Sequence, residues 1–269
     1  MSGLTSHWRR AWLYALVTLV LLFLILPIFI VIPASFSDSK YLAFPPPGYS
    51  VKWYQAYFGS SDWLAATRVS LLAAFFTMLI ATPMGVAAAY AIDSFSSRLA
   101  RLTTAIILLP VIIPNILIAI GVFYVYVRLR MVNSMAGIVA AHSLLALPFV
   151  VMTVLSGFRS FDMRQEQVAR SLGAPRFSAF LRVTLPQISP SVVSGALFAF
   201  IISLDEIILS LFVAGGENTV LTRRMFVAAR DAVDPTIAAI STFFIAVSLA
   251  VLLLLALTTR RKSVGARPT

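Results

Sequence analysis

Six stretches of this chain are apolar over lengths that few water-facing helices reach: approximately residues 11–33, 65–92, 102–127, 134–157, 188–213 and 237–259. A membrane-crossing helix needs roughly 20 predominantly apolar residues. The pattern therefore predicts an all-α polytopic membrane protein with six spans in one domain, residues 1–269. The first stretch follows Arg9 and Arg10 and runs to Pro33 before Ala34-Ser35. It is longer than the roughly 7–15 residues of a signal-peptide core, so a retained span is expected. No internal repeat or low-complexity linker interrupts the pattern.

Composition supports the same class, with 60% hydrophobic residues, 12% charged residues and a mean hydropathy of +0.94. A soluble domain carries roughly a quarter charged residues, and half that supply cannot coat a water-facing surface. The net charge of +11 does not point to nucleic acid, because the arginines lie between apolar runs rather than in one stripe. Six spans place both termini on one side. That side then holds 13 of the 21 Lys and Arg residues, including Arg98, Arg101, Arg159, Arg164, Arg170, Arg176 and Arg182, against 8 on the other. The positive-inside rule predicts cytoplasmic termini and contact with lipid headgroups. With no cysteine, disulfides and thiolate metal sites are excluded.

The loop from Ser35 to Leu64 contains Phe44-Pro45-Pro46-Pro47-Gly48, which forbids a helix interior there. Trp53, Tyr54, Tyr57 and Phe58 then fall at helical spacing, and a short helix at the outer interface is expected. The loop from Phe161 to Pro190 is the more informative. Residues 162–172 form an amphipathic segment with Val168 and Leu172 on one face, Gly173 permits the reversal that ends a helix, and Pro175 suits the first turn of the next. A second short helix is expected from Phe177 to Val183, leading to Pro186 and the fifth span. Apolar residues on such a helix pair suit either a groove in another protein or the lipid headgroups.

The segment resembles the EAA signature of importer-type ABC permeases: a Glu-Ala-Ala triplet, three residues, glycine, nine residues, then Ile-x-Leu-Pro. Here the triplet falls on Gln167, Val168 and Ala169, the glycine is Gly173, and Val183, Leu185 and Pro186 complete the spacing. Gln167 and Val168 depart from the pattern, and Glu166, one position early, is expected to stand in part for the missing acid. The resemblance implies the six-helix, MetI-like fold of type I ABC importers. It implies a bacterial inner-membrane location and docking of this loop, through Glu166, Gln167, Ala169 and Gly173, into a cleft of an ATP-hydrolysing subunit dimer. It implies two further partners: a homologous or identical second permease, as in a heterodimeric pore, and a periplasmic solute-binding protein. Phe44 to Tyr54, His142, Leu147-Pro148-Phe149-Val150, Ser203-Leu204-Asp205-Glu206 and Phe212-Val213-Ala214-Gly215 are similar to the spermidine/putrescine-type subfamily, closest to its second permease.

Of ten acidic residues only Asp205 and Glu206 fall well within an expected span. A carboxylate at mid-helix costs roughly 2.5–3.5 kcal/mol on insertion scales, so both should face protein or water. On a continuous helix Ala199, Ser203, Glu206 and Ser210 would form one small, polar stripe suited to a passage, with Asp205 about 100° away. Glu206 reads equally as a cation-attracting path residue or as an interhelical bond, including an ion pair with Arg223 or Arg224; Asp205 leans to the structural reading. Pro110 and Pro114 predict a kinked or broken third span. Related polyamine permeases often carry a carboxylate after the second proline, where this chain has Asn115. That change weakens the case for a multiply charged polyamine within the expected small, amine-containing, polyamine-like class, and leaves room for a smaller amine, an amino-acid-like or a zwitterionic solute. His142 is expected to be buried, neutral and hydrogen-bonded.

The chain contains no Gly-x-x-x-x-Gly-Lys-Ser/Thr run, no nucleophile–base pairing and no metal-ligand spacing. It is read as a pore subunit, not an enzyme, with no cofactor. The rival reading is an ion-coupled secondary carrier that uses Asp205 and Glu206 as a relay and needs no ATPase.

Overall fold

The computed structural model describes residues 10–42, 44–94, 97–231 and 234–249. Among them the only extended pairing is an isolated bridge between Ser37 and Tyr49; the rest is helical or irregular. Four helices are long and apolar enough to cross a membrane, and a bent pair makes a fifth. The chain divides into two compact units, Met1–Ser61 with Val227–Thr269, and Asp62–Phe226.

In the first unit, α1 (Ala11–Ser35) is apolar on every side and exposed along most of its length, as a lipid-facing helix must be. It ends where Ser35 is buried and its hydroxyl binds Ile32 O at 2.6 Å and the Tyr54 hydroxyl at 2.8 Å. Tyr54 lies on α2 (Lys52–Gly59), the short helix the aromatic spacing predicts. Tyr57 and Phe58 of α2 turn onto Phe243, with ring centroids 6.2 and 5.5 Å away. Phe243 belongs to a shorter apolar helix, Thr236–Leu249; the remainder of the expected sixth span, 250–259, lies outside the described residues.

The second unit holds α3 (Ser61–Ser94), α4 (Ser97–Ile112), α5 (Asn115–Leu129), α6 (Met135–Ser160), α7 (Arg164–Ser171), α8 (Arg176–Ala179), α9 (Leu185–Asp205) and α10 (Ile208–Val213). The amphipathic α11 (Leu221–Asp231) follows a short 3-10 turn at Gly216–Asn218. α6 is the central element. Its side chains join Ala73, Tyr126, Leu209 and Val213 in one buried cluster, and Val86, Ala89, Ile188 and Ala199 in another. Lipid tails are as apolar as the side chains, so close backbone approach carries the packing. A Cβ on Gly85 of α3 would lie 2.5 Å from Val150 Cγ1, and one on Gly195 of α9 3.3 Å from the same atom. Gly85→Val is therefore expected to force α3 off α6 at a cost of about 1–3 kcal/mol, read as a lower unfolding temperature in detergent. An unchanged transition would show that the helices separate without loss.

The third expected span, 102–127, is two helices meeting at 98°. Pro114 takes an extended backbone (φ −53°, ψ 128°) at the head of α5, where its missing N–H is no loss. The fifth, expected as one helix over 188–213, is also broken: α9 ends at Asp205, Glu206 is extended (ψ 109°), and α10 restarts at Ile208. The second loop helix, expected over 177–183, is the single turn α8 followed by a π-turn, Phe180–Thr184, that runs directly into α9.

Candidate functional site

The loop between α6 and α9 presents exposed apolar side chains about a tight turn. Asp162 Oδ1 accepts the Arg164 N–H at 3.0 Å and starts α7. The helix closes through Gly173 N–H to Arg170 O and Ala174 N–H to Ala169 O. Gly173 has φ +95°, a left-handed conformation that glycine adopts without penalty, and no atom lies within 4 Å of where its Cβ would stand. Leu172 (84% exposed), Phe177 (74%) and Val168 are exposed on either side of this turn, and Phe177 also borders an apolar cavity with Pro83 and Val86 of α3. Gln167 is exposed and Ala169 half-buried on the same helix.

Glu166 does the opposite of what the motif spacing suggests. It is buried at 2% exposure. Its Oε1 accepts the Tyr90 hydroxyl of α3 and its Oε2 the Thr184 hydroxyl of the π-turn, both at 2.5 Å. Arg176 completes the group: Nε donates to the Tyr90 oxygen at 3.1 Å, and the guanidinium lies 5.0 Å over the Tyr90 ring. Glu166 cannot stand in for an outward acid, because these donors claim both its oxygens. The outward position of α7 is the neutral Gln167. Tyr90, Thr184 and Arg176 escape sequence reasoning, since 76 and 18 residues separate the first two from Glu166.

In the membrane-embedded part, the polar stripe drawn from helical spacing does not exist as a lining. The helix it requires stops at Asp205. Ser203 and Ser210, on either side of the break, are buried and bind the two ring nitrogens of His142 on α6, at 2.8 and 3.1 Å. Ser210 gives its own proton to Glu206 O at 2.8 Å. Ser203 Oγ also lies 3.3 Å from Thr77 Oγ1 of α3. His142 is thus the buried, hydrogen-bonded residue expected of it.

Glu206 is buried as well. Its Oε1 accepts the Leu209 N–H at 2.9 Å, capping α10, and its carbonyl accepts from Ser210 and Thr222. It makes no ion pair with Arg223 or Arg224; Arg224 binds Asp62 at 2.8 Å and lies over Trp63. Of the two readings left open for Glu206, its contacts here are the structural ones, whereas Asp205, which leaned to the structural reading, is the exposed member of the pair. Asp205 is exposed and, among the described residues, has no ion-pair partner. Asn115, half-buried, begins α5 at the bend.

A groove of about 450 Å³ runs between α6 and α9, lined in part by Thr153, Ser156, Ser191 and Ser194. Thr153 and Ser194 donate their hydroxyl protons to helix carbonyls, of Phe149 at 2.7 Å and Pro190 at 2.8 Å. Their oxygens are left as acceptors. Ser194 and Asp205, eleven positions apart, lie about three turns along one face of α9.

Comparison with known proteins places this architecture. Residues 81–262 match the family described as binding-protein-dependent transport system inner membrane component. The spermidine/putrescine transport system permease protein PotC of Haemophilus influenzae is 30% identical over 249 residues, 93% of this chain and 96% of that protein. The putrescine transport system permease protein PotI of Escherichia coli is 29% identical over 248 residues, 88% of this chain and 86% of that one. In fold, the chain is similar to a chain of a bacterial ABC transporter involved in the import of the acidic polysaccharide alginate, with a TM-score of 0.75 at 14% identity over 95% of this chain and 98% of that one. The family match covers well over half the chain, and the chain belongs to the inner-membrane permease components of binding-protein-dependent ABC importers.

Proposed function

We propose that the chain forms half of the passage for a small aliphatic amine of the putrescine kind and is driven by an ATPase dimer docked on the loop around Gly173. The observation that carries the docking is the set of exposed apolar side chains Val168, Leu172 and Phe177 about a left-handed glycine. Exposed apolar side chains of that size suit a hydrophobic cleft in a partner protein. In the proposed arrangement both termini and this loop lie in the cytoplasm of a bacterial cell, a second permease closes the passage, and a periplasmic receptor delivers the solute. ATP hydrolysis belongs to the docked subunits. ATP binding there supplies the differential stabilisation that any shift between inward- and outward-open states requires.

The solute class rests on PotC and PotI, whose names specify spermidine and putrescine, and on the chemistry of the exposed face of α9. Asp205 offers a negative charge, and the Thr153 and Ser194 oxygens offer acceptors with no proton to give. Ammonium groups are donor-only and match both. Asn115 at the bend is proposed to contribute a neutral polar contact. Ser203, Ser210 and Glu206 are proposed to serve by holding the break that presents Asp205.

Purified with its companions and reconstituted in proteoliposomes, the transporter is expected to take up labelled putrescine only with ATP inside and loaded receptor outside. Uptake by the isolated chain on an ion gradient, without any ATPase, would instead establish the secondary carrier.

A further inference from the structure

We propose that Glu166 is a positioning residue for coupling: its buried carboxylate fastens the docking helix α7 to span α3 through Tyr90 and to the head of α9 through Thr184. A push on α7 then reaches both spans at once. This rests on the reading of the loop as the ATPase docking element.

α7 has two turns, and Glu166 is its only buried side chain. The rest of the helix faces outward or lies half-covered. A helix so short has little stability of its own. Glu166 is the buried side chain that ties it to the spans, beside the packing of Met163 at its head and the exposed bond from Gln187 Nε2 to Gln165 Oε1 at 2.6 Å. The carboxylate is suited to the task because its two oxygens engage different elements. Tyr90 lies near the end of α3, and Thr184 is the last residue of the π-turn that becomes α9. Hydroxyl-to-carboxylate bonds are short and strong among neutral-donor hydrogen bonds. Arg176 donates to the same Tyr90 oxygen and lies over its ring, which holds the phenol in place while its proton goes to Glu166. A tie whose only purpose was to stabilise the spans would join α3 to α9 directly. This one runs through the helix that carries the exposed face.

The test uses the full transporter in proteoliposomes with putrescine as probe. Tyr90→Phe and Thr184→Val each remove one hydroxyl while keeping ring or shape. The double variant is expected to co-purify with the ATPase as the unaltered chain does, yet to move on the order of five- to tenfold less putrescine per ATP hydrolysed. Each single variant should fall between. A second readout needs no solute. The chain has no cysteine of its own, so with partner subunits cleared of reactive cysteines, spin labels at Ser171→Cys on α7 and Met84→Cys on α3 report their separation. Their separation should stay constant between nucleotide-free and ATP-bound states in the unaltered chain and change in the double variant.

Unchanged uptake per ATP together with an unchanged distance in the double variant overturns the proposal. So does a loss of uptake that merely follows a loss of assembled complex. An unaltered transporter that hydrolyses ATP but carries no putrescine faults only the solute assignment, and the distance readout still decides. An unaltered chain that captures no ATPase overturns the docking reading, and this proposal with it.

Discussion

Gly173→Asp is expected to leave the chain folded in the membrane and to abolish coupled uptake. Gly173 sits at φ +95°. Any L-residue held in a left-handed conformation costs roughly 1–2 kcal/mol, and a shift of that size changes a conformational ratio by a factor of about 5–30. The turn would relax toward negative φ and swing Leu172 and Phe177 out of register. The aspartate also places a carboxylate next to Leu172 on the proposed docking surface, where docking would strip it of water. Insertion should survive, because nothing lies within 4 Å of the new side chain's first atom. Gly173→Ala carries the strain without the charge and should be intermediate. ATP hydrolysis and putrescine uptake by the assembled transporter are the measurements. Full coupled uptake by the aspartate variant would remove the docking assignment.

Adjacent carboxylates should give opposite phenotypes at the break in the fifth span. Asp205→Asn is expected to leave the unfolding temperature unchanged and to lower uptake at limiting putrescine by roughly tenfold or more, the loss of one charge-assisted hydrogen bond of about 1.5–3 kcal/mol. Glu206→Ala removes the acceptor from Leu209 N–H inside the protein. It should cost about 1–3 kcal/mol in stability and reduce the amount of folded chain in the membrane. Glu206→Gln keeps a carbonyl oxygen for Leu209, so it should fold and transport nearly as the unaltered chain does. A stable Glu206→Gln protein with no uptake would return Glu206 to the passage. Unchanged kinetics for Asp205→Asn would take Asp205 out of it.

Why these two neighbours part company is a tertiary matter. Sequence spacing places Glu206 with Ala199, Ser203 and Ser210 only if the helix continues, and no proline or glycine near residue 206 announces that it stops. The break is held by distant groups: Thr222 on the Glu206 carbonyl, and His142 on serines 61 and 68 positions away. The break at Pro114 differs, because a missing N–H is written into the residue itself.

From the residues alone one can determine that the chain is helical and membrane-embedded, that its third span breaks at a proline, and that the loop around Gly173 turns back on itself. Each follows from a property that acts within a few positions: the water-avoidance of a long apolar run, a fixed φ, a freely positive φ. Only the tertiary structure decided that Glu166 points inward, that Ser203 and Ser210 are occupied by His142, and that Asp205 rather than Glu206 is left bare. The direction of a buried polar side chain is set by whichever donor or acceptor the rest of the fold brings within about 3 Å. No local rule carries that information.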